Sequence, residues 1–432
     1  MTRNGTSTPT VADMVKAVTT PPLPLRITAY DGSAVGPRDA GLELHVKSPR
    51  ALNYLVTAPG DLGLARAYIT GELIASGVEP GNPYAAFDSL QACKEHLRRP
   101  TPAGMRTISR LLRHEGLHRP EVPEIETPPA WRRALAGARP HTEAADKDSV
   151  SSHYDRSNRF YSLVLGPSMT YTCALFDSPD TSLEDAQRRK INLVLDKLDL
   201  APGQRLLDIG CGWGSVLVAA ARRGIRAIGV TLSEPQARWA NAWLAREGLD
   251  DLAQARVMDY REVPEHDFDG ICSLGMMEHV GVRHYDEYFR TMFSLLRPGG
   301  RLLNHQITRR DANQRNGAGA FVGRYIFPDG ELAAPGVVMT HLHDAGLEIV
   351  HAENLRQHYA LTLEHWCRNL QAHWDEAVES GGSQTALLWG LYMAGARWNF
   401  ERNNIQIHQF LAVRPGEDTG GHWYPLRPWW DA

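Results

Sequence analysis

Residues 203–214 read GQRLLDIGCGWG, an apolar run that ends in three glycines, Gly210, Gly212 and Gly214, before the alanine-rich stretch SVLVAAARRG. Leu206, Leu207 and Ile209 predict a buried strand, and Ser215 to Arg223 predict the helix that follows. Glycine suits the turn between them because the chain must take positive φ there and let a ligand lie against its backbone. Free N–H groups at the helix start then face that ligand. A lone GxGxG is a weak signal, since nicotinamide and flavin sites share it. Asp208, two residues before the first glycine, sharpens it, because its carboxylate can reach the amino group of a bound amino-acid moiety. The blocks AIGVTLSEPQ, ARVMDYREV and FDGICSLGMMEHVG follow at the spacing of successive βα units.

This succession resembles the class I S-adenosylmethionine methyltransferases. The resemblance implies an α/β fold, a Rossmann-like sheet with helices on both faces, and S-adenosylmethionine as cofactor. That cofactor is cationic, so acidic and carbonyl partners replace a phosphate cradle. The second strand of such an enzyme usually ends in an acid that holds the ribose hydroxyls. Here it ends at Val230-Thr231, and Thr231, Ser233 and Gln236 offer hydroxyl and amide partners instead. Ser233 with Gln236 three residues on also fits a helix capping box. Asp259-Tyr260-Arg261, after the third strand, is expected beside the adenine.

At 432 residues the chain exceeds the usual size of one hydrophobic core, so two domains are expected. The hydrophobic fraction of 43% and charged fraction of 22% are those of a soluble globular protein. No apolar run reaches the roughly 20 residues of a spanning helix, and MTRNGTSTPT lacks a signal core, which predicts a cytoplasmic protein. Five cysteines, at 93, 173, 211, 272 and 367, form no CxxC pair, which predicts reduced thiols and no metal site. A net charge of −4 gives no general pull toward nucleic acid, so attraction to an anionic surface has to be local.

Residues 1–20, rich in Thr, Ser and Pro, read as a disordered N-terminus. Residues 21–119 read as a smaller α+β domain. It opens with LRITAYDGSAV and LELHVKSP, a hairpin signal around Asp31-Gly32, and continues with helical stretches on both sides of Pro59-Gly60. Between Lys94 and Arg119 stand seven Lys or Arg against two Glu. Met105, Ile108, Leu111 and Leu112 recur there at helical spacing beside Arg106, Arg110 and Arg113, the pattern of a basic amphipathic helix. It reads equally as a solvated helix packed on its own domain or as a patch for an anionic membrane. Residues 120–147, with five prolines, read as a linker, and residues 148–432 as the catalytic domain.

Within the class, the chain resembles the cyclopropane fatty acid synthases and the cyclopropane synthases that act on mycolic acids. The stretches that carry the likeness are HYDRSNRFYSLVLGPSMTYTCALF, LLDIGCGWGS, GVTLSEPQ, MDYREV, GMMEHVG, YDEYF, LRPGGRLLNHQIT, RYIFPDG and HYALTLEHW, across residues 152 to about 413. DLGLARAYITGEL, at 61–73, is similar to the N-terminal lipid-handling domain of longer members. Carried over by position, the resemblance implies cofactor contacts at Tyr171, Thr172, Asp208, Gly210, Cys211, Gly212, Gly214, Thr231, Leu232, Ser233, Gln236, Asp259, Tyr260 and Arg261. It implies a bicarbonate ion enclosed by Cys173, Glu278, His305, Ile307 and Tyr359. Cys173 and Ile307 would act through backbone groups, the other three through side chains.

The family's chemistry explains such a set. An alkene that attacks the sulfonium methyl becomes a carbocation, which must lose a proton inside an apolar pocket. A small anion held by hydrogen bonds can take that proton without being alkylated in place. Taken singly, His305 reads as a core histidine, Glu278-His279 as a surface pair, Cys173 as a small buried thiol and Tyr359 as core packing. Their joint occurrence in the motifs is what points to a site. Phe160, Tyr161, Met169, Phe176, Met276, Met277, Tyr325, Phe327 and Trp366 are candidates for an acyl tunnel, with Tyr325 and Phe327 in a lid-like insertion.

The expected activity is transfer of a methyl carbon to the cis double bond of an unsaturated phospholipid acyl chain, giving a cyclopropane. The alternative, after a hydride shift, is an exocyclic methylene, the precursor of a mid-chain methyl branch. LPLRITAYDGSAVGP in the N-terminal half resembles the methyl-branch-forming relatives. A more distant alternative is a small-molecule N- or C-methyltransferase. The expected partner is the inner face of the membrane in transient, peripheral contact, with no nucleic acid, and the sequence leaves a homodimer open.

Overall fold

The computed structural model describes residues 8–126, 158–311, 313, 319–328, 330–416 and 424–430. The chain divides into two compact units, Met1–Thr127 with Leu370–Trp398, and Pro128–Asn369 with Asn399–Ala432. The first therefore recruits residues from far down the chain, which the boundary expected at 120–147 had left in the catalytic domain. The expected linker beyond Glu126, and the HYDRS stretch of the first family motif, lie outside the described residues.

In the first unit the order begins with a helix where disorder was expected. Val11–Val18 is capped by Thr10, whose hydroxyl accepts from the Asp13 N–H while Asp13 receives the Thr10 N–H in return. A four-stranded sheet follows in the order β2-β1-β3-β4, made by Arg26–Ala29 (β1), Ala34–Val35 (β2), Glu43–Val46 (β3) and Leu73–Ser76 (β4). The hairpin around Asp31-Gly32 joins β1 to β2, whereas β3 runs parallel to β1. Helices Pro49–Thr57 and Asp61–Ile69 flank Pro59-Gly60. Val11, Leu25, Leu44, Val46, Leu52, Tyr54, Leu73 and Leu111 share one core. The late segment is tied in by the Trp398 indole N–H, which donates to Asp88 at 2.9 Å, and by Arg397 over the Tyr84 ring at 4.1 Å.

The second unit is the expected class I methyltransferase sheet. Seven strands lie in the order β10-β11-β9-β8-β5-β6-β7: Arg205–Ile209 (β5), Arg226–Thr231 (β6), Ala253–Val257 (β7), Phe268–Leu274 (β8), Leu296–Arg309 (β9), Glu348–Asn354 (β10) and Ile405–Val413 (β11). β5 to β9 are mutually parallel, and β11 enters antiparallel between β9 and β10. Both faces are covered. Helices Tyr285–Leu295 and Pro335–Asp344 bury Tyr285, Phe289, Met292, Val338 and Leu342 on one. Helices Leu183–Leu198, Ser215–Arg222 and Glu234–Arg246 bury Ile191, Val194, Leu217, Ala240 and Leu244 on the other. Strand order reverses between β5 and β8, and in open α/β sheets a ligand crevice opens there, at the carboxyl ends of the strands.

Candidate active site

A cleft enclosing about 1230 Å³ of empty space, its mouth included, lies at that reversal. Its walls include Tyr171, Thr172, Asp208, Gly210, Cys211, Gly212, Thr231, Leu232, Gln236, Asp259, Tyr260 and Arg261. Two residues expected among them stand behind the wall instead. Gly214 sits at φ +89°, and a Cβ there would lie 2.7 Å from the Ala240 Cβ, so its glycine serves close helix packing. Ser233 caps helix Glu234–Arg246 by accepting from the Gln236 N–H. The capping box is incomplete, because the Gln236 side chain turns to the Thr231 hydroxyl, from which it accepts at 2.8 Å.

Asp208 is fully buried on this wall, and the Cys272 thiol donates to its Oδ1 at 3.3 Å. Burial pushes its carboxyl up to about 7 against that hydrogen bond. A desolvated carboxylate facing a cleft suits a cationic ligand. Gly210, at φ +75°, carries the turn beside it, while Asp259 and Arg261 hold each other through two hydrogen bonds of 2.8 and 2.7 Å. These residues fit the amino-acid and nucleoside ends of S-adenosylmethionine.

The five residues expected around an anion are absent from the cleft wall; four are buried and Ile307 is half-buried, and their contacts fall into two sets, Glu278 with the Ile307 strand that carries His305, and Cys173 with Tyr359. Glu278 follows β8, and its Oε1 accepts the Ile307 backbone N–H at 2.6 Å, leaving Oε2 buried without a partner. The Ile307 amide is thus committed to Glu278. Burial raises the Glu278 carboxyl to about 7 despite that bond. His305, two residues before Ile307 on β9, is fully buried with both ring nitrogens unpartnered. Burial, with Lys190 and Lys197 near it, holds it neutral, well below the ordinary histidine value. Cys173 and Tyr359 meet at one carbonyl: the Cys173 Sγ lies 3.7 Å from the Leu355 oxygen, which also accepts the Tyr359 N–H at 3.1 Å. Burial drives the Cys173 thiol to about 12, so it is no nucleophile. Unsatisfied buried donors and acceptors are rare enough to call for an account. A small anion that carries its own O–H fits those of Glu278 and His305, donating to Glu278 Oε2 and accepting from a His305 ring N–H.

Residues 141–410 match the family described as mycolic acid cyclopropane synthetase. The chain belongs to that family. A Mycobacterium tuberculosis protein described as probable fatty acid methyltransferase Rv3720 is 50% identical over 94% of this chain and 95% of its own. Cyclopropane mycolic acid synthase 2 of Mycobacterium bovis is 36% identical over 62% of this chain and 94% of its own. Among solved structures, the mycolic acid cyclopropane synthase CmaA1 complexed with SAH and CTAB superposes with a TM-score of 0.58, at 31% identity, over 62% of this chain and 98% of that one.

Of the nine candidates for an acyl tunnel, Met169 and Met276 line the cleft. Phe160, Tyr161, Phe176, Met277, Tyr325 and Trp366 are instead buried in packing. Phe327 meets the ring of His279, a wall residue, at 5.2 Å. Its segment closes on Glu278, since the Glu331 N–H donates to the Glu278 carbonyl at 3.0 Å and the Glu331 carboxylate receives the Val282 N–H at 2.8 Å. Sequence reasoning missed His279, His284 and Glu287 on the wall, and also the helix that pins its other side. In Leu183–Leu198, the Gln187 amide donates to the Thr170 and Thr172 carbonyls at 3.2 and 2.9 Å. Lys190 donates to the Cys173 carbonyl at 3.1 Å. Their spacing of three along the apolar stripe was the available signal.

Proposed function

We propose that this family member methylates the double bond of an unsaturated fatty acyl chain carried by a phospholipid, and that its product is a cyclopropane. The observation that carries the reading is the pairing of a buried, cation-seeking Asp208 on the cleft with the orphaned Glu278 Oε2 and His305 nitrogens beside it. Bound S-adenosylmethionine would supply the electrophilic methyl, and bound bicarbonate the base. Asp208, at the end of β5, would hold the donor's ammonium. The donor would supply its methyl to one alkene carbon, its sulfur leaving as a neutral thioether, with positive charge developing on the neighbouring alkene carbon. The proton lost from the new methyl as the ring closes would pass to the bicarbonate, giving carbonic acid. Glu278 orients the base, His305 remains a neutral hydrogen-bond partner, and Tyr359 closes the pocket from helix Arg356–Ala372.

A second reading, an exocyclic methylene product, shares every step up to the cation and adds a hydride shift before proton loss. Its support is coverage: relatives described as probable fatty acid methyltransferases match along 93–94% of this chain, whereas the mycolic acid synthases match along 62%. Lipids of cells expressing the chain with methyl-labelled methionine separate the two by proton NMR. Ring methylene signals upfield of tetramethylsilane support the cyclopropane, and vinylidene signals support the alternative. No label in acyl chains refutes both.

Peripheral binding to the inner face of the membrane is part of this proposal. Helix Pro102–His114 is capped by Thr101 and anchors Leu111 in the core of its unit, with Arg106, Arg110 and Arg113 exposed. Leu97, Met105 and Leu117 around it are 59%, 54% and 45% exposed, so charge and grease share one stretch. Among the described residues no helix is long and apolar enough to cross a membrane.

A further inference from the structure

Helix Leu183–Leu198 presents Leu183, Gln187, Lys190, Val194 and Lys197 to the interior, all of them buried. Two lysines on a core-facing stripe need a reason, because a buried ammonium is costly unless it is paired. Lys197 has one. Its Nζ donates to the Gln409 amide oxygen at 2.7 Å, lies 3.2 Å from a Glu353 carboxylate oxygen and stands over the Trp430 ring at 5.2 Å. Lys190 is different. Its Nζ donates to the Cys173 carbonyl at 3.1 Å, and among the described residues no carboxylate lies within ion-pair distance of it.

The groups that face Lys190 from its own helix and from the sheet give its charge no direct ion pair. Lys197 repels it, and Glu353, on β10, attracts it from a distance while making its ion pair with Lys197. The Cys173 and Cys272 thiols are kept protonated by burial and carry no charge. His305 is neutral and feels both lysines. A cation without an ion pair of its own therefore stands at the backbone of Cys173, near enough to act on an imidazole whose two nitrogens have no partner. We propose that Lys190 is the positioning residue for the anion pocket: its ammonium, fixed on the Cys173 carbonyl, supplies the positive field that captures bicarbonate. This rests on the bicarbonate reading above. It goes further by naming what makes a greasy interior accept an anion at all. Glu278 cannot do so, since its own charge opposes capture.

Burial brings the Lys190 ammonium down to about 8. Glu278, in the same pocket, ionises near 7, so the Lys190 effect is read above it: anion affinity should fall by roughly tenfold between pH 8 and pH 9.5, as the ammonium loses its proton.

The test uses the full-length protein loaded with S-adenosylhomocysteine and follows the line width of [13C]bicarbonate by NMR. Lys190→Met fills similar volume without charge, and thermal unfolding with S-adenosylhomocysteine binding checks that it folds. The expected result is bicarbonate affinity weaker by roughly tenfold or more, loss of the pH 8–9.5 dependence and unchanged S-adenosylhomocysteine affinity. Lys190→Arg, which keeps the charge, should recover part of the affinity. Wild-type binding retained in folded Lys190→Met overturns the role of Lys190 and leaves the bicarbonate reading standing. Should Lys190→Met not fold, the wild-type pH series decides: constant affinity from pH 8 to 9.5 overturns the proposal. If the wild type itself binds no bicarbonate, the base assignment fails and this proposal fails with it.

Discussion

Donor binding should switch with the ionisation of one buried carboxyl. Asp208 has its carboxyl raised from 3.8 to about 7 by burial, and it lies on the wall of the cleft where the donor's ammonium is expected. Only the ionised form attracts a cation, so binding below pH 7 must first expel the Asp208 proton. The apparent dissociation constant then scales as one plus ten to the power of (7 − pH), which is roughly twofold weaker at pH 7, tenfold at pH 6 and hundredfold at pH 5. Above about pH 8 the ligand's own α-amino group deprotonates, so affinity peaks between the two. Isothermal titration of S-adenosylhomocysteine in two buffers of different ionisation heat measures both the slope and the proton count, and near one proton should be released per ligand at pH 6. Asp208→Asn should flatten the slope and weaken binding at pH 7.5 by about 1.5–3 kcal/mol, the value of a hydrogen bond to a charged group. Glu278→Gln, off the cleft wall, should retain the slope. A dissociation constant that stays level from pH 5.5 to 7.5 would refute the assignment of Asp208 as the cation's partner.

Glu278→Gln should leave S-adenosylhomocysteine affinity near normal while cutting turnover by roughly 10² to 10⁴, and unchanged turnover removes the carboxylate from the anion-base arrangement. The same substitution carries a stability signature. The folded-state carboxyl is raised from 4.5 to about 7, so its contribution is intact below pH 4.5 and is lost as pH rises toward 7. The variant should therefore gain about 3 kcal/mol relative to wild type between those limits in urea unfolding, and parallel curves would contradict the burial argument. Replacing Arg106, Arg110 and Arg113 by Gln should remove about 1 kcal/mol of vesicle affinity per charge in low-salt sedimentation on anionic lipid, and much less at high salt. Sedimentation that does not change returns this helix to a purely structural role. Gly214→Ala puts a Cβ 2.7 Å from the Ala240 Cβ at a positive φ, and should lower the melting temperature by an amount equivalent to about 1–3 kcal/mol. An unchanged melting temperature would mean that the two helices separate without cost.

The catalytic fold was legible because its signals are local. The strand before Gly210, the missing acid at the end of β6 and the order of the βα blocks are each written within a dozen residues, and most of the donor cleft follows from them. Other features depend on distant partners. Residues 370–398 join the first unit through contacts such as Trp398 to Asp88, which no local pattern encodes. β3 runs parallel to β1 although its alternation suits a hairpin equally well, and helix Val11–Val18 forms in a stretch whose composition suggests disorder. Of the residues expected along a tunnel only Met169 and Met276 line this cleft, since size and greasiness do not say which side of a wall a side chain faces.

Lys190 shows the opposite failure, a residue hidden by a sound habit. Charged side chains on a helix are read as its wet face, and LEDAQRRKINLVLDKL has charges enough to make that reading comfortable. Yet Leu183, Gln187, Lys190, Val194 and Lys197 fall at steps of four, three, four and three, the spacing of a single stripe. A stripe that contains Leu and Val must face the core, and its lysines go inside with them. Asp208, Glu278, His305 and Lys190 are all buried polar groups, and Glu278 and His305 carry atoms that the chain leaves without a hydrogen-bond partner. Stability alone would select against every one of them. On the function proposed above, a pair of ligands, one cationic and one anionic, would complete the interior when they bind.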